Sequence, residues 1–556
     1  MNEIKKILPL RLTLPLLALY LLVSIPGMYN HELWLDEAQH FLIGRDSSTL
    51  GSLYQNMRYD GHPRLWNALL YFVTHYISAS YAGLQILHLL ITTSALFVFL
   101  RYAPFSLLMK IMIMSGYYFL FEYNLLSRNY ALGILCLFIC CRLLDDFRKN
   151  RWWIGVMLFL LCNTHLFFAF AAIGIFIYLL PELTGISVLR GSAGTRASIS
   201  TGSAGTMTSI LPGTAGAKQR FLAGSLPVIG LFLAGLFCAI IQTRTPAEDN
   251  CYAVKPAEWL SSQNLTFAYT GLVKGWLPIP RIPSERFWNT WLVDSLGTTM
   301  RKFLFLFFLF FPAVFLWRQR RTLLFYYSSL LLLLAFLVVT QLSGTRYFGM
   351  VYIYFISACW IAGGRLNGAA GGASARIAGS TGTDVFGVAN MPGGPVLRAV
   401  LKTTLQFVLV VQILVSIYAL AQDFSRPFSE SRNTVMYIKD HQLDDQEIVV
   451  DGYNAGPVLC AYLGKKVFYL DVGSEGSYLY FKKSNFPVPR RSIEQEMSQA
   501  YFLQRLDKFI LISNREINEK AIRSGGILFQ VAPLSNFQRS MILSENYFIY
   551  QVTKYI

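Results

Sequence analysis

Residues 302–340 read KFLFLFFLFFPAVFLWRQRRTLLFYYSSLLLLLAFLVVT, which is two long apolar runs on either side of the basic tetrapeptide 318–321. An α-helix needs roughly 20 predominantly apolar residues to cross the hydrocarbon core of a bilayer. Short loops that are rich in Arg and Lys stay on the cytoplasmic side. The segment therefore predicts two membrane-spanning helices that are joined in the cytoplasm.

The composition of the whole chain indicates the same class of protein. Of its 556 residues, 54% are apolar and only 14% are charged, against about 25% charged residues in soluble domains. This balance excludes a disordered chain and a secreted disulfide scaffold. It also excludes a nucleic-acid-binding protein, because much of the net charge of +17 lies in short loops that set topology. The eight cysteines include no Cys-x-x-Cys pair, so we interpret most of them as small buried side chains.

The placement of basic residues predicts a topology of eleven crossings. The first apolar run ends near Pro26 and is followed by no small-x-small cleavage site, so we expect a retained helix that starts in the cytoplasm. Residues 27–80 then lie outside, and the basic cluster 142–151 lies inside. No crossing is left for 64–78, which we expect to lie along the outer interface; if it crosses, the count changes by one helix. The later predicted crossings are 83–100, 105–121, 129–143, two within 152–180, 221–243, 302–317, 323–340, 347–363 and 398–420.

The run 152–180 is too long for one crossing and is interrupted by Asn163-Thr164-His165. Two crossings of about 13 to 15 residues would each be about 20 Å long, which is less than the hydrocarbon thickness of roughly 30 Å. Polar backbone is not tolerated against lipid. We therefore expect a water-filled dip in the outer face with His165 at its tip, although an ordinary buried histidine is an alternative at this position.

The remaining segments complete the domain organisation. The low-complexity stretches 185–217 and 364–395 are predicted to be flexible cytoplasmic loops, and 244–300 to be an external loop with tryptophans at the interface. The sequence predicts a polytopic α-helical membrane protein, with a membrane domain at 1–420 and a small extracytoplasmic α/β domain at 421–556. The strand candidates of that domain are 447–451, 466–471 and 508–513.

The strongest chemical signal is Leu33-Trp34-Leu35-Asp36-Glu37-Ala38, directly after the first helix. A carboxylate at the membrane surface can accept a proton from an incoming hydroxyl or amine, so Asp36 and Glu37 are candidate catalytic residues. A structural alternative is that the two carboxylates only complement the dipole of a helix N-terminus.

Three arginines lie at the predicted outer ends of helices. Arg64 follows a Gly-His-Pro turn, Arg128 lies in a Ser-Arg-Asn-Tyr junction, and Arg346 follows Gly-Thr. A guanidinium suits phosphate binding, although Arg64 could also be an interface anchor and Arg128 a structural partner of Glu122. Arginines are biased towards the cytoplasmic side. The placement of all three outside therefore predicts that they form one anion-binding site. The candidate residues of this outer site are His62, Arg64, Arg128, His165 and Arg346.

An outer site with a carboxylate pair and several arginines suits a phosphate headgroup together with a nucleophile that must lose a proton. Nucleotide sugars are absent outside the cell, so the donor would be a sugar linked to a lipid phosphate. The sequence has no Gly-rich phosphate loop, dinucleotide fingerprint or hydrolase triad motif in a convincing context.

These motifs resemble the GT-C superfamily of membrane glycosyltransferases, and within it the branch of protein O-mannosyltransferases and aminoarabinose lipid A transferases. The resembling stretches are Asp36-Glu37-Ala38, Gly61-His62-Pro63-Arg64-Leu65-Trp66, Ser127-Arg128-Asn129-Tyr130 and Thr164-His165. The resemblance covers residues 8–180, and 221–420 in layout only. It implies inverting transfer of a sugar from a polyprenyl-phosphate donor to a lipid, glycan or protein acceptor, at the outer face of the inner or plasma membrane.

The resemblance also implies residue roles. Asp36 would activate the acceptor as a general base, and Glu37 would support Asp36 or a metal. Where the family has Pro-Pro or Lys-Pro before the interface helix and often Thr-Lys in the broken helix, this chain has His62-Pro63 and Thr164-His165. The implied phosphate contacts are Arg64, Arg128 and Arg346. His165 would line the donor pocket, and His62 is the other candidate for contacting the donor phosphate or sugar. Two histidines near two carboxylates permit a divalent metal, with Glu37, His62 and His165 as candidate ligands.

Two other classes of function compete with this interpretation. A transporter or flippase of lipid-linked glycans is expected to show paired internal repeats and charges at the middle of the membrane, and the sequence shows neither. A membrane-anchored sensor or scaffold needs far fewer than eleven helices as its anchor.

Overall fold

The structure of the protein, a computed structural model, describes residues 7–184, 213–251, 262–282, 286–369, 394–524 and 526–555. This part of the chain is mostly helical and ends in a β-rich domain. Most of the predicted loops 185–217 and 364–395 lies outside the described residues. Among the described residues, eight helical stretches are long and apolar enough to cross a membrane: Leu10–Asn30, Tyr81–Tyr102, Leu166–Leu183, Gly224–Thr243, Thr298–Phe315, Arg320–Thr340, Thr345–Gly364 and Pro395–Ser425.

The helical bundle precedes the β-rich domain, and its core is formed by apolar and aromatic side chains of many helices. The two apolar runs of 302–340 form separate long helices, Thr298–Phe315 and Arg320–Thr340. In chain order the helices are α1 (Leu10–Asn30), α2 (Leu35–Asp46), α3 (Leu50–Asn56), α4 (Leu65–Tyr76), α5 (Tyr81–Tyr102), α6 (Leu107–Met114), α7 (Tyr130–Leu143), α8 (Phe147–Thr164), α9 (Leu166–Leu183), α10 (Gly213–Thr243), α11 (Ser262–Trp276), α12 (Thr298–Phe315), α13 (Arg320–Thr340), α14 (Thr345–Phe348), α15 (Met350–Ala369) and α16 (Pro395–Ser425).

Helix α4 corresponds to the segment that we expect at an interface. It has 12 residues and is therefore about 18 Å long, which is short of a hydrocarbon core of roughly 30 Å. It packs against α2, where Gly44 makes the close approach possible: a Cβ at Gly44 would lie 2.9 Å from the Cβ of Leu70. This contact fixes α2, the helix that begins with the acidic pair.

The predicted crossing 105–121 is not one continuous helix. Helix α6 stops at Met114, and the chain then makes a π-helical turn over Tyr118–Glu122. Gly116 lies between the two pieces, where a Cβ would be 3.3 Å from the Cβ of Gln412 in α16. π-Helical turns occur frequently at functional sites, and this one directly precedes the Ser127–Tyr130 junction.

The helices on either side of His165 are longer than the sequence predicts. Both α8 and α9 have 18 residues, or about 27 Å each, because the basic residues before Trp152 and the segment around Pro181 continue the helices beyond the apolar run. The predicted lengths are wrong, so helix shortness does not support a dip. The break itself is present, since His165 is extended at φ −161° and ψ 151°.

Residues 244–300 include a helix, α11, besides irregular chain. Trp276 at its end is fully buried and lies against Phe308 and Phe355, with ring centroids 5.4 and 4.7 Å apart. Trp288 and Trp291 are also buried, whereas Trp259 lies outside the described residues. The expectation that these tryptophans sit at a membrane interface is therefore wrong for the three described ones, which pack inside the protein.

The C-terminal domain contains one seven-stranded sheet in the order β3-β2-β1-β4-β7-β6-β5. Strand β1 is parallel to β2 and β4, and the other pairs are antiparallel. The predicted strand segments 447–451, 466–471 and 508–513 contain β1, β2 and β4. These strands are recognisable in the sequence because they are short runs of buried apolar residues. The strands are β1 (Ile448–Asp451), β2 (Val467–Tyr469), β3 (Ser474–Gly476), β4 (Lys508–Ser513), β5 (Ala521–Ser524), β6 (Ile527–Phe537) and β7 (Tyr547–Tyr555); the helices are α17 (Ser431–Asp440), α18 (Gly456–Leu463) and α19 (Ile493–Gln499).

Hydrogen bonds attach the C-terminal domain to the segment between α1 and α2. The Leu33 N–H donates to the Tyr462 hydroxyl at 2.9 Å, and the Leu35 N–H donates to Glu545 Oε1 at 2.9 Å. Burial raises the pKa of Glu545 to about 8. The start of α2 is therefore fixed from both sides, by the bundle and by the domain.

His31 fixes the same segment to α16. Its Nδ1 lies 3.0 Å from Asp423 Oδ1, and its Nε2 lies 3.7 Å from Glu37 Oε2. Burial lowers the pKa of His31, but the Asp423 and Glu37 carboxylates outweigh burial and raise the pKa to about 10. The two carboxylates thus favour the imidazolium form of His31, which lies between Asp423 and Glu37.

Candidate active site

Asp36 lies in the first turn of α2 and contacts two arginines from distant segments of the chain. Its Oδ2 lies 2.6 Å from Arg128 Nη1 and 3.0 Å from Arg346 Nη2. The Asp36 side chain is 25% exposed, whereas those of Arg128 and Arg346 are 5% and 10% exposed. Acid and guanidinium groups converge as we expect, and Asp36 is the member that solvent reaches most readily.

Glu37 is fully buried and serves the backbone around Asp36. One of its oxygens accepts a hydrogen bond from the Ser127 N–H, and the other accepts one from the Trp34 N–H at 3.2 Å. Because Ser127 directly precedes Arg128, this carboxylate places Arg128 beside Asp36. The structural alternative for the acidic pair thus applies to Glu37, which acts as a positioning residue.

Arg346 is held at its backbone and at its guanidinium. The Thr345 N–H donates to Asn289 Oδ1 at 2.8 Å, and the Tyr123 hydroxyl donates to the Arg346 carbonyl at 2.7 Å. The guanidinium carbon lies near the ring centroids of Tyr347 (4.5 Å), Trp34 (4.7 Å) and Trp288 (5.6 Å). Cation–π contacts of this kind favour a fixed guanidinium, so the positive charge next to Asp36 is preorganised.

Arg64 lies at the start of α4 and has different partners from the other two arginines. Its guanidinium carbon lies 3.6 Å from the centroid of the Tyr54 ring, and the backbone N–H of Arg64 donates to Gln242 Oε1 at 2.8 Å. Its Nε and Nη1 atoms are buried without a hydrogen-bond partner among the described residues. Asp36 is not among its contacts there, so Arg64 is a separate donor of hydrogen bonds in the region.

His165 caps α9 and lies among aromatic rings. Its Nδ1 accepts a hydrogen bond from the Phe167 N–H at 3.1 Å, which makes it a helix N-cap. Its ring centroid lies 4.6 Å from that of Tyr130 and 5.4 Å from that of His62. Since Tyr130 follows Arg128 by two residues, His165 and His62 lie close to the Asp36 cluster.

His62 belongs to a cluster with His40 and Asp60. Its Nδ1 lies 3.0 Å from Asp60 Oδ1, and His40 Nδ1 lies 3.8 Å from Asp60 Oδ2. Gly61, at φ +72°, makes the tight turn that lets the side chains before and after it meet. One ligand atom from each of the three lies within 4.8 Å of the others. Among the described residues, the expected ligands Glu37 and His165 are not members of this set. His62 is, and His40 and Asp60 take the place of the other two.

The donor atoms of this cluster fit a divalent cation. Two imidazoles and a carboxylate suit zinc and related metals, and the buried Asp60 Oδ2 has no hydrogen-bond partner in the described part of the chain. Burial raises the pKa of Asp60, but His40 and His62 outweigh burial and lower it. Burial lowers the pKa of His40, whereas at His62 the Asp60 carboxylate outweighs burial and raises the pKa, so metal binding would release a proton from His62.

A second acidic cluster, in the C-terminal domain, fits a metal less well. It consists of Asp451, Asp471 and Glu496. Asp451 pairs with the guanidinium of Arg490 and, at 3.0 Å, with that of Arg515. Two guanidiniums already neutralise this carboxylate, so we interpret the cluster as a structural charge network at the ends of β1 and β4.

We expect His40→Ala and His62→Ala each to remove a bound metal from the purified protein. Elemental analysis after exposure to zinc and removal of excess ion should give one zinc per chain for the unaltered protein and almost none for either variant, because each loses one of three ligands. His441→Ala is the matched control, since His441 is exposed in the C-terminal domain. Equal zinc content in all four proteins would contradict the assignment.

Sequence reasoning misses His40, Asp60 and Trp288 as members of the region. His40 follows Asp36 by four residues, which places both on one face of α2 once a helix is assigned. Asp60 stands two residues before His62, and the glycine between them is a sign of a tight turn. Trp288 has no comparable local signal, because it reaches Arg346 and Glu122 only through tertiary packing; its Nε1 donates to Glu122 Oε2 at 3.1 Å.

Comparisons with known proteins do not assign a family. No family model matches the chain, and no curated protein matches it in a sequence search. The basis for assigning a function is therefore the side-chain geometry around Asp36 and the sequence motifs that contain these side chains.

Proposed function

We propose that the protein is an integral membrane glycosyltransferase, which transfers a sugar from a polyprenyl-phosphate donor to an acceptor on the extracytoplasmic face. The observation that carries the proposal is the contact of one partly exposed carboxylate, Asp36, with the guanidiniums of Arg128 and Arg346. This arrangement combines a proton acceptor with phosphate-binding groups. Sugar transfer from a lipid phosphate needs both within one site.

In the proposed reaction, Asp36 accepts the proton of the acceptor hydroxyl as the hydroxyl oxygen attacks the anomeric carbon. The bond between that carbon and the phosphate oxygen breaks, and its electron pair leaves with the phosphate. Because attack comes from the side opposite to the leaving group, the anomeric configuration inverts. The developing charge on the phosphate is stabilised by guanidinium N–H groups that are already in place.

The charge balance of the cluster suits this donor. Asp36, Arg128 and Arg346 together carry one net positive charge, which matches the single negative charge of a phosphodiester. Arg64 adds buried N–H groups without a partner among the described residues. A divalent cation bound by His40, Asp60 and His62 would supply further positive charge for phosphate binding.

We also propose the eleven-crossing topology, with the interrupted segment around α6 and helices α7 and α8 added to the eight candidate spans. Helix α7 begins next to Arg128 and ends at the basic cluster 142–151, about 21 Å away along a 14-residue helix. Arg321 pairs with Glu182 at 2.9 Å, at the end of α9 opposite to His165. Both basic clusters thus lie at the far ends of helices that start near the site. Together with the positive-inside bias, this arrangement supports an extracytoplasmic position for Asp36 and the C-terminal domain. Helix α4 would lie along the outer interface.

The proposal is tested by identifying the lipid that copurifies with the protein. Mass spectrometry of lipids extracted from the purified protein should find a polyprenyl phosphate or its sugar conjugate, and Arg346→Ala should lose it because a phosphate contact is removed. Arg281→Ala is the matched control, since Arg281 is exposed and lies outside the cluster. A lipid content that is free of polyprenyl phosphates, or that is the same in Arg346→Ala, would contradict the proposal.

A further inference from the structure

The C-terminal domain contains a cavity of about 230 Å³ beside β3 and at the carboxyl ends of β1 and β2. Ligands of α/β sheets commonly bind at the carboxyl ends of parallel strands. Small-molecule pockets of roughly 300 to 1,000 Å³ accept drug-sized ligands, so this cavity has room for a smaller ring. Its main lining side chains are Tyr453, Tyr469, Glu475, Tyr478, Tyr480 and Lys482.

The tyrosines of the cavity are fixed by one another. The Tyr480 N–H donates to the Tyr453 hydroxyl at 2.8 Å, and the Tyr453 and Tyr469 rings meet edge to face with centroids 4.9 Å apart. The Tyr478 and Tyr480 rings lie 5.4 Å apart, and their hydroxyl oxygens lie 3.2 Å apart. The cavity is therefore lined by tyrosine side chains that their neighbours hold in place, so a ligand would bind at little cost in side-chain entropy.

The charges of the lining residues indicate the class of ligand. Among the side chains that line the cavity, Glu475 and Lys482 are the charged ones and have opposite signs. Among the described residues no arginine lines the cavity, in contrast to the Asp36 site, so these residues offer a phosphate no bidentate partner. Aromatic faces pack well on the C–H face of a sugar ring, and hydroxyl, amine and carboxylate groups bond to its hydroxyls. A neutral ligand with many hydroxyl groups fits this set.

The cavity is attached to the helix that carries Asp36. Gln39 exchanges two hydrogen bonds with the backbone of Leu479, at 2.9 and 2.7 Å. Gln39 follows Asp36 by three residues, or about 4.5 Å along α2. Ser477 donates to Asp46 at the other end of the same helix. The chain between β3 and Tyr480 is thus aligned along α2, and a ligand in the cavity is kept at a fixed distance from Asp36.

We propose that the acceptor is a glycan and that this cavity binds one of its neutral sugar units. The sugar in the cavity would be distant from the reacting end of the glycan, which would reach Asp36. The role as acceptor site depends on the proposed function. Binding of the neutral glycan itself does not depend on the proposed function, because binding requires no donor and no transfer.

The test measures glycan binding directly. The full-length protein in lipid nanodiscs, free of sugar-based detergent, is applied to an array that carries neutral oligosaccharides beside sulfated and sialylated ones. Neutral glycans should bind, and Tyr478→Ala should weaken the binding about tenfold through the loss of one stacking ring. Ser474→Trp should abolish binding by filling the cavity with a side chain from an exposed position. Asn536→Trp, exposed on β6, is the matched control and should bind as the unaltered protein does.

The outcomes separate this inference from the proposed function. Binding of the same glycans by Asp36→Asn would show that the cavity works without catalysis. Failure of the unaltered protein to bind any neutral glycan, binding of acidic glycans only, or full binding by Ser474→Trp would each overturn the inference. A protein that binds neutral glycans but contains no polyprenyl phosphate would retain this inference and contradict the transferase.

Discussion

Asp36→Asn is expected to reduce sugar transfer by about 10²–10⁴-fold, the usual contribution of a general base, while the protein stays folded. The amide keeps the shape of the side chain but cannot accept the proton of the acceptor hydroxyl. The measurement is release of polyprenyl phosphate from the copurified or added sugar donor, with the acceptor present. Binding of undecaprenyl phosphate should persist, because Arg128 and Arg346 keep their charge.

The matched control for this prediction is Asp440→Asn, because Asp440 is an exposed aspartate at the end of α17. Its transfer rate should equal that of the unaltered protein. Unchanged transfer by Asp36→Asn would remove Asp36 from the mechanism. Loss of undecaprenyl phosphate binding in the same variant would instead assign Asp36 to holding the arginines in place.

Arg128→Ala is expected to weaken the binding of undecaprenyl phosphate by about 10- to 100-fold. A hydrogen bond to a charged group contributes about 1.5–3 kcal/mol, which corresponds to that range of affinity. The structure gives Arg128 a second role, since it lies 2.6 Å from Asp36. The single variant therefore does not separate contact with the phosphate from placement of Asp36.

A double-mutant cycle separates the two roles of Arg128. If Arg128 contacts the phosphate, Arg128→Ala should weaken undecaprenyl phosphate binding equally in the unaltered and the Asp36→Asn backgrounds. If Arg128 only positions Asp36, Arg128→Ala should not change undecaprenyl phosphate binding in the Asp36→Asn background. That result would exclude contact between Arg128 and the phosphate. Native mass spectrometry in nanodiscs measures the binding, and Arg281→Ala is again the control.

The parts of the fold that the sequence predicts best are those with a strong local pattern. Long apolar runs give the helices α12 and α13, and short buried runs give β1, β2 and β4. The errors come from places where tertiary contacts decide. The segment after α6 becomes a π-helical turn beside α16, and Trp276 is buried because α11 packs among other helices.

The candidate site shows the same division. The acid and the three arginines are visible in the sequence because each stands in a short polar stretch at a helix end. The roles within the pair are not visible, since Asp36 and Glu37 differ only in the direction that α2 gives their side chains. Glu37 points to the Ser127 N–H, and Asp36 points to the guanidiniums. Long-range packing likewise determines that His62 joins His40 and Asp60.

The hydrogen bond from the Leu35 N–H to Glu545 has a consequence for biogenesis. Ribosomes make the chain from its amino end, and 510 positions separate these two residues. Every helix of the bundle has therefore left the ribosome before the partner of the Leu35 amide is synthesised. This contact, one residue before Asp36, can form only after translation has passed Glu545, so a nascent chain that is still being inserted lacks it.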